Sequence, residues 1–326
     1  MAVTVHVDDC TIAASTACLV EDLKARLARH VEVTDLGELH WMLGIQIWHD
    51  REARTISISQ PAYIDSILRH YHFLDCKPLS TPMDTQVCLT SEQAPSSPPD
   101  FAAMCDMPYR EAIGTLNWAT LTTHPDITFA VATVACFGTN PRPAHWEAIK
   151  RIFCYLAGTC DLCLMYGETR RVLEGYTDAD SSMAEDRHAI LGYAFLIDGG
   201  AVSWSSKRQE IVLLSTTESE YVAATHRMKE GLWLRSLLSE IFGPLSNPLT
   251  LFSNNQAAIA LTRDHQYHAC MKHIDVQYHW IHWVVEEGAM HLVYCPTDDM
   301  VADALMKALP SPKVKHFTVA LGLRAK

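Results

Sequence analysis

The order of strand-like and helix-like runs in the C-terminal half is the feature that most restricts what this chain can fold into. Short runs rich in β-branched and aromatic residues come first, with turn sequences at Asp198-Gly-Gly and Ser206-Lys-Arg between them. The pattern predicts strands at 172–177, 190–197, 201–205, 210–215, 249–253 and 290–295, and helices at 217–241, 255–262, 272–287 and 298–307. Meandering strands followed by helices that alternate with strands predict an α/β sheet covered by helices.

A proline-rich stretch divides the rest of the chain. Prolines stand at positions 78, 82, 95, 98, 99 and 108, beside a serine cluster, which is typical of a linker. Strand-like runs and a helix that opens at Pro61 precede it, and a helical pattern follows it. The predicted divisions are residues 1–83, a linker-like segment 84–107, a helical segment 108–166, an α/β segment 167–309 and a C-terminal tail 310–326.

Composition excludes several classes of protein. A net charge of −12 gives no overall positive field for nucleic acid, so any such contact has to use local basic patches or metal ions. The 11 cysteines are scattered and odd in number, which favours reduced thiols in an intracellular setting, cytoplasmic or nuclear. No apolar run approaches the length of a membrane span and no signal peptide is visible at the N-terminus, so we expect no membrane partner.

Acidic residues in the C-terminal half stand where the fold can bring them together. Asp178 ends a predicted strand, Glu220 lies in the first turn of the long predicted helix, and Asp303 lies in the last one. Ser253-Asn254-Asn255, at a strand–turn–helix boundary, offers a fourth position. Converging carboxylates repel one another unless a cation neutralises them, and Mg²⁺ prefers such oxygen ligands. The alternative is that each acid is a helix cap or a solvated charge.

Several motifs resemble those of copia-type retrotransposon polyproteins. The motifs that resemble the ribonuclease H domain of that family are Gly175-Tyr-Thr-Asp-Ala-Asp180, Gly200-Ala-Val-Ser-Trp-Ser-Ser-Lys207, Leu214-Ser-Thr-Thr-Glu-Ser-Glu-Tyr221, Lys272-His-Ile-Asp275 and Val301-Ala-Asp303. The motifs that resemble the end of its reverse transcriptase are Val7-Asp-Asp9, Asp35-Leu-Gly-Glu-Leu39, Ser80-Thr-Pro-Met83, Tyr109-Arg-Glu-Ala-Ile-Gly114 and Pro125-Asp126. The similarity covers nearly the whole chain in order.

The resemblance implies a fold class. It is α/β, a ribonuclease H-like mixed sheet with flanking helices, preceded by a truncated reverse-transcriptase palm remnant and a helical thumb or connection. The palm end and the start of the thumb would occupy residues 1–83, and the rest of the thumb or connection residues 108–166.

The same resemblance implies a site and a reaction. The catalytic and metal-binding acids would be Asp178, Glu220 and Asp303, the metal Mg²⁺ or Mn²⁺, and the substrate an RNA–DNA hybrid. The family normally has an aspartate where this chain has Asn254, and an uncharged amide cannot bridge two cations as a carboxylate does. We therefore expect impaired hydrolysis, with a shift of Asp180 or Glu218 into the vacant role as the alternative.

The polymerase motif is also incomplete. His6-Val-Asp8-Asp9 resembles the Tyr-X-Asp-Asp hairpin, with histidine in place of tyrosine. The family needs a further aspartate from an earlier palm strand, which would precede Met1. We expect no nucleotide addition by this chain alone.

Two functions stay open from the sequence: a metal-dependent hybrid ribonuclease, and a non-catalytic relic that binds nucleic acid or protein or has no function.

Lys207, Arg208 and Lys272 are candidates for nucleic-acid contact, or ordinary turn and cap charges. A lone Cys160-Asp-Leu-Cys163 and the histidines between His265 and His282 are weak indications of zinc. Tryptophans 204, 233, 280 and 283 are expected in the core rather than as base-stacking platforms.

Overall fold

A computed structural model of the chain describes residues 1–90, 104, 106–167, 173–180, 190–208, 216–245, 247–256, 259 and 283–325. For residues 179, 180 and 216–226 it describes the backbone. No helix in this described part is both long enough and apolar enough to cross a membrane.

The N-terminal segment contains small β elements and two helices. Strands β1 (Ala2–His6) and β2 (Asp9–Ala13) form an antiparallel hairpin. Helix α1 (Ala17–Leu27), strands β3 (Trp41–Met42), β4 (Ile45–Asp50) and β5 (Thr55–Ser59), and helix α2 (Pro61–His70) follow. Helix α2 begins at Pro61, where the missing N–H costs nothing, and buries Ile64, Ile67 and Leu68 at helical spacing.

The middle of the chain is helical, as the sequence predicts. It contains α3 (Tyr109–Thr122), a 3₁₀ turn at Pro125–Ile127, α4 (Thr128–Ala135) and α5 (Pro143–Ala157). At the start of α5, the Arg142 backbone N–H donates to His145 Nδ1 over 3.0 Å, which satisfies a group that the helix leaves unpaired. Strand β6 (Leu162–Tyr166) then pairs with β5.

Five of the remaining strands, β7 to β11, form the predicted α/β sheet. In chain order the elements are β7 (Leu173–Asp180), β8 (Ile190–Ile197), β9 (Gly200–Arg208), α6 (Thr216–Phe242), β10 (Leu249–Ser253), β11 (Met290–Tyr294), 3₁₀ turns at Thr297–Asp299 and Val301–Leu305, α7 (Ser311–Ala320) and β12 (Leu323–Ala325).

The strand order of this sheet is β11-β10-β7-β8-β9. Strands β7, β8 and β9 form an antiparallel meander, and β10 and β11 add to it in parallel. Asp198 and Gly199, both with positive φ, make the two-residue loop between β8 and β9 that the sequence predicts. An antiparallel meander extended by parallel strands, with helices on its faces, is the ribonuclease H-like mixed sheet.

Helix α6 packs on one face of this sheet. Gly231 allows the close approach, because a Cβ there would lie 2.5 Å from Leu249 Cδ2 and 2.8 Å from Phe195 Cε1. The opposite face carries Val301 and Leu305 from the second of the 3₁₀ turns, together with Leu321. The acids predicted for the site therefore come from elements on both faces.

The predicted divisions of the chain stay predictions, but residues 311–325 have a defined place. Strand β12 pairs with β6 in a second sheet of order β12-β6-β5-β4-β3. Leu309, Val314 and Phe317 join the core formed by α2, α3, α4 and α5. The C-terminal residues thus connect the helical segment to the α/β sheet.

Several local predictions are wrong. Residues 298–307 form two 3₁₀ turns rather than a helix, since Met300 is extended between them and its side chain is fully buried. Strand β9 continues through Ser206, Lys207 and Arg208 because they pair with β8, and the predicted strand 210–215 lies outside the described residues.

Two of the predicted core tryptophans are exposed. Trp233 and Trp283 are 58% and 57% exposed, because each lies on the solvent side of its helical run. Trp204 is partly buried and donates from Nε1 to the carbonyl of Thr120 over 2.7 Å. Trp280 lies outside the described residues.

Candidate active site

Parallel pairing of β7 and β10 places Asp178 beside Asn254. Phe252 is the register partner of Tyr176, so the positions two residues further on, 254 and 178, are also neighbours. The rings of Tyr176 and Phe252 stack with centroids 4.9 Å apart, and alternation puts Asp178 and Asn254 on the same face as these rings. The structure thus brings these two strand ends together.

The contact between the two side chains is a hydrogen bond. Asn254 Nδ2 donates to Asp178 Oδ2 over 2.9 Å, and the Asp178 residue is only 6% exposed. At the position where the family has a second carboxylate, this chain presents an N–H donor to the first. The amide thus stabilises the Asp178 carboxylate rather than adding a negative charge beside it.

Gly192 brings the Asp303 segment to the same face of the sheet. It is the register partner of Asp178 on β8, and a Cβ there would lie 2.8 Å from the Ala302 carbonyl oxygen and 2.5 Å from Met306 Cγ. The Val301–Leu305 turn can approach β8 only because this position has no side chain.

The Asp303 carboxylate is fully buried and has a cationic neighbour. Its side chain is 1% exposed and Lys307 Nζ lies 2.8 Å from Oδ2, while neither oxygen accepts a well-aligned hydrogen bond within the described part of the chain. The Asp303 backbone N–H donates to the Met300 carbonyl over 3.0 Å, which fixes the turn. Sequence reasoning missed Lys307, although a lysine four residues after an aspartate is a common ion-pair spacing.

Glu220 is placed by its backbone alone. It is the fifth residue of α6, which begins at Thr216, and its side chain lies outside the described residues. The same holds for Asp180 and Glu218, the alternatives for the role that Asn254 cannot fill. The meeting of Glu220 with the other acids therefore stays a prediction.

Cys295 is a further group near the site that the sequence did not indicate. Its backbone N–H donates to the Ser253 carbonyl over 2.9 Å, next to Asn254 in the chain. Burial, followed by the carboxylates of Asp299 and Asp303, raises the pKa of the Cys295 thiol to about 11. The neutral thiol form is therefore favoured at neutral pH.

The described side chains do not fit a divalent ion. In the described ranges, no three Asp, Glu, His or Cys side chains gather in a way that could hold a metal. Mg²⁺ keeps several of its waters when it binds, whereas Asp178 and Asp303 are buried and already contact an amide and an ammonium. We therefore derive no step through a metal.

The weaker candidate sites have no metal-binding arrangement where they can be described. Cys160 and Cys163 are not in a disulfide, and residues 265–282, with their histidines, lie outside the described residues. Asp8 and Asp9 are exposed at the β1–β2 turn. Lys207 and Arg208 are exposed at the end of β9, and Lys272 lies outside the described residues.

Comparison with known proteins matches residues 1–85 to the family described as reverse transcriptase (RNA-dependent DNA polymerase). The retrovirus-related Pol polyprotein from transposon TNT 1-94 of Nicotiana tabacum is 37% identical over 98% of this chain. The match takes in 24% of that polyprotein, so the chain spans about a quarter of its length. An uncharacterised mitochondrial protein of Arabidopsis thaliana is 31% identical over 72% of this chain and 94% of its own length.

Among solved structures, LC11-RNase H1, isolated from compost, superposes with a TM-score of 0.33 at 15% identity. It covers 42% of this chain and 94% of its own.

The fold defines the class: a ribonuclease H-like α/β sheet that follows a reverse-transcriptase-related segment. The chain belongs to the family of retrovirus-related Pol polyproteins of copia-type transposons.

Proposed function

We propose that the C-terminal part of this chain binds RNA–DNA hybrid and that its hydrolytic centre is impaired by Asn254. The observation that carries the proposal is the hydrogen bond from Asn254 Nδ2 to Asp178 Oδ2. An acid pair at these two strand ends would concentrate negative charge and attract a cation. The amide supplies a donor there, so the pair has one charge instead of two.

The loss of charge has a chemical consequence. Two-metal hydrolysis of a phosphodiester needs carboxylates that hold both ions, so that a water is activated and the leaving oxygen is stabilised. Changing even an outer partner of a metal ligand costs about 10–100-fold in affinity or activity. A change in the ligand itself should cost at least about 100-fold in the cleavage rate.

The second candidate function is binding without any cutting. It is favoured by the burial of Asp303 against Lys307, which closes a second acid to an incoming ion. Binding should be modest and sensitive to salt, because the net charge is −12 and only local basic residues attract the phosphates.

We propose no polymerase activity for this chain alone. Asp8 and Asp9 are exposed on a two-stranded hairpin, and the described residues bring no third acid to them. We further propose a cytoplasmic or nuclear location, because none of the nine cysteines in the described part of the chain forms a disulfide.

Cleavage of a labelled RNA–DNA hybrid in Mg²⁺ or Mn²⁺ tests the proposal. We expect the unmodified chain to shift the hybrid in a binding assay and to cut it weakly or not at all, and Asn254→Asp to cut at least about 100-fold faster. Asn254→Asp combined with Asp178→Asn is the matched control and should not cut. Equal, measurable rates for the unmodified chain and Asn254→Asp would show that Asn254 is not the lesion, whereas no cutting by either would show that the loss extends beyond Asn254 and would favour binding alone.

A further inference from the structure

Lys307 is a cation that the hydrolytic mechanism of the family does not require, yet it contacts a predicted catalytic acid. Its Nζ lies 2.8 Å from Asp303 Oδ2, with side-chain exposures of 30% for Lys307 and 1% for Asp303. A carboxylate removed from water in this way is strongly destabilising unless a cation or hydrogen-bond donors compensate it. Because neither Asp303 oxygen accepts a well-aligned hydrogen bond from the described residues, the compensation comes from the charge of Lys307.

A second buried acid lies near Lys307 but does not compete for it. Lys307 and Asp126 both line a small cavity of about 20 Å³ between α4 and α7, with room for about one water. Asp126 has its own partners, because the Tyr155 hydroxyl donates to Oδ2 over 2.6 Å and His124 Nδ1 lies 3.2 Å from Oδ1. The ammonium of Lys307 is therefore left for Asp303.

The two described acids of the centre thus both contact a partner from within the chain, one a neutral donor and the other a cation. Asp178 accepts from the Asn254 amide, and Asp303 pairs with the Lys307 ammonium. A divalent ion that approached Asp303 would meet a positive charge 2.8 Å from the carboxylate oxygen it needs, in a site with little water to screen the repulsion.

We propose that Lys307 is a built-in counter-cation that occupies the metal-binding role at Asp303. The centre then folds without a divalent ion, and Lys307 competes with such an ion for the carboxylate. The inference rests on the proposed function in assigning Asp303 to the centre, but it does not depend on any cleavage activity.

Thermal unfolding and Mn²⁺ binding measured by electron paramagnetic resonance test the proposal together. For the unmodified chain, and likewise for Lys307→Arg, the unfolding temperature in Mn²⁺ should equal that in EDTA. In EDTA, Lys307→Met should unfold at a lower temperature than the unmodified chain, and Mn²⁺ should restore part of that difference. Lys307→Met should also bind Mn²⁺ at least about tenfold more tightly than the unmodified chain, because removing the ammonium frees the carboxylate. Lys313→Met is the matched control, since Lys313 pairs with the exposed Asp298 over 3.0 Å, and it should show no metal effect.

A double variant keeps the test decisive if Lys307→Met fails to fold. Asp303→Asn combined with Lys307→Met removes both charges and should fold without metal, with no response to Mn²⁺. The proposal would be overturned if the unmodified chain bound Mn²⁺ as tightly as Lys307→Met, or if the double variant were no more stable than Lys307→Met. Neither result depends on whether Asn254→Asp cuts a hybrid, so the two proposals fail separately.

Discussion

A single methyl group at Gly192 should disturb the packing that holds Asp303 on the same face as Asp178. Gly192 is the register partner of Asp178, and the Val301–Leu305 turn packs directly over it. In Gly192→Ala the new Cβ would lie 2.5 Å from Met306 Cγ, 2.8 Å from the Ala302 carbonyl oxygen and 3.1 Å from Leu305 Cβ.

None of these three contacts relaxes easily. Met306 Cγ lies near the base of a side chain that is only 1% exposed, so it has little room to move aside. The Ala302 oxygen belongs to the backbone and has to retreat by about half an ångström or more to reach van der Waals distance. Overpacking of a close-packed interior costs about 1–3 kcal/mol. We expect a loss of about 2–3 kcal/mol in the free energy of unfolding, because none of the three contacts is with the free end of a flexible side chain.

Urea unfolding and amide hydrogen exchange measure the effect. The midpoint should fall, and protection should decrease at the Asp303 amide, which donates to the Met300 carbonyl over 3.0 Å. Gly114→Ala is the matched control, since a Cβ at this helical glycine meets nothing within 4 Å and should stabilise by up to about 1 kcal/mol. An unchanged midpoint for Gly192→Ala, with unchanged exchange at Asp303, would refute the packing argument.

Three further predictions follow from single contacts. Tyr155→Phe leaves a buried oxygen of Asp126 without its 2.6 Å donor and should lower the free energy of unfolding by about 1–3 kcal/mol; an unchanged urea midpoint would contradict this. Trp204→Phe removes a 2.7 Å hydrogen bond between β9 and α3 and should speed amide exchange at the end of α3, with no change as the contrary result. The neutral thiol of Cys295 is favoured below a pKa of about 11, so at pH 8 alkylation followed by mass spectrometry should label it much more slowly than the exposed Cys10; equal labelling would argue against its burial.

The sequence was sufficient for the elements whose pattern is local. Pro61 with apolar residues at helical spacing predicts α2, and Asp198-Gly-Gly predicts the turn between β8 and β9. The sequence placed Asp178 and Asn254 at the ends of two predicted strands, and the structure puts them in contact because those strands are parallel neighbours.

Tertiary packing decided the features that the sequence did not predict. Residues 298–307 have a helical pattern, but burial of Met300 and contact with Gly192 extend the chain between two short turns. Strand β9 runs past its predicted end at 205 because β8 continues alongside it. The role of Lys307 depends on the burial of Asp303, which no local pattern reveals.

A crystal structure of the unmodified chain grown in Mn²⁺, with an anomalous difference map, tests most directly whether the chain fills its own acidic centre. We predict Asn254 Nδ2 on Asp178, Lys307 Nζ on Asp303, and no anomalous peak within coordination distance of either carboxylate. A manganese ion bound by Asp178 and Asp303, with Lys307 displaced, would contradict the account.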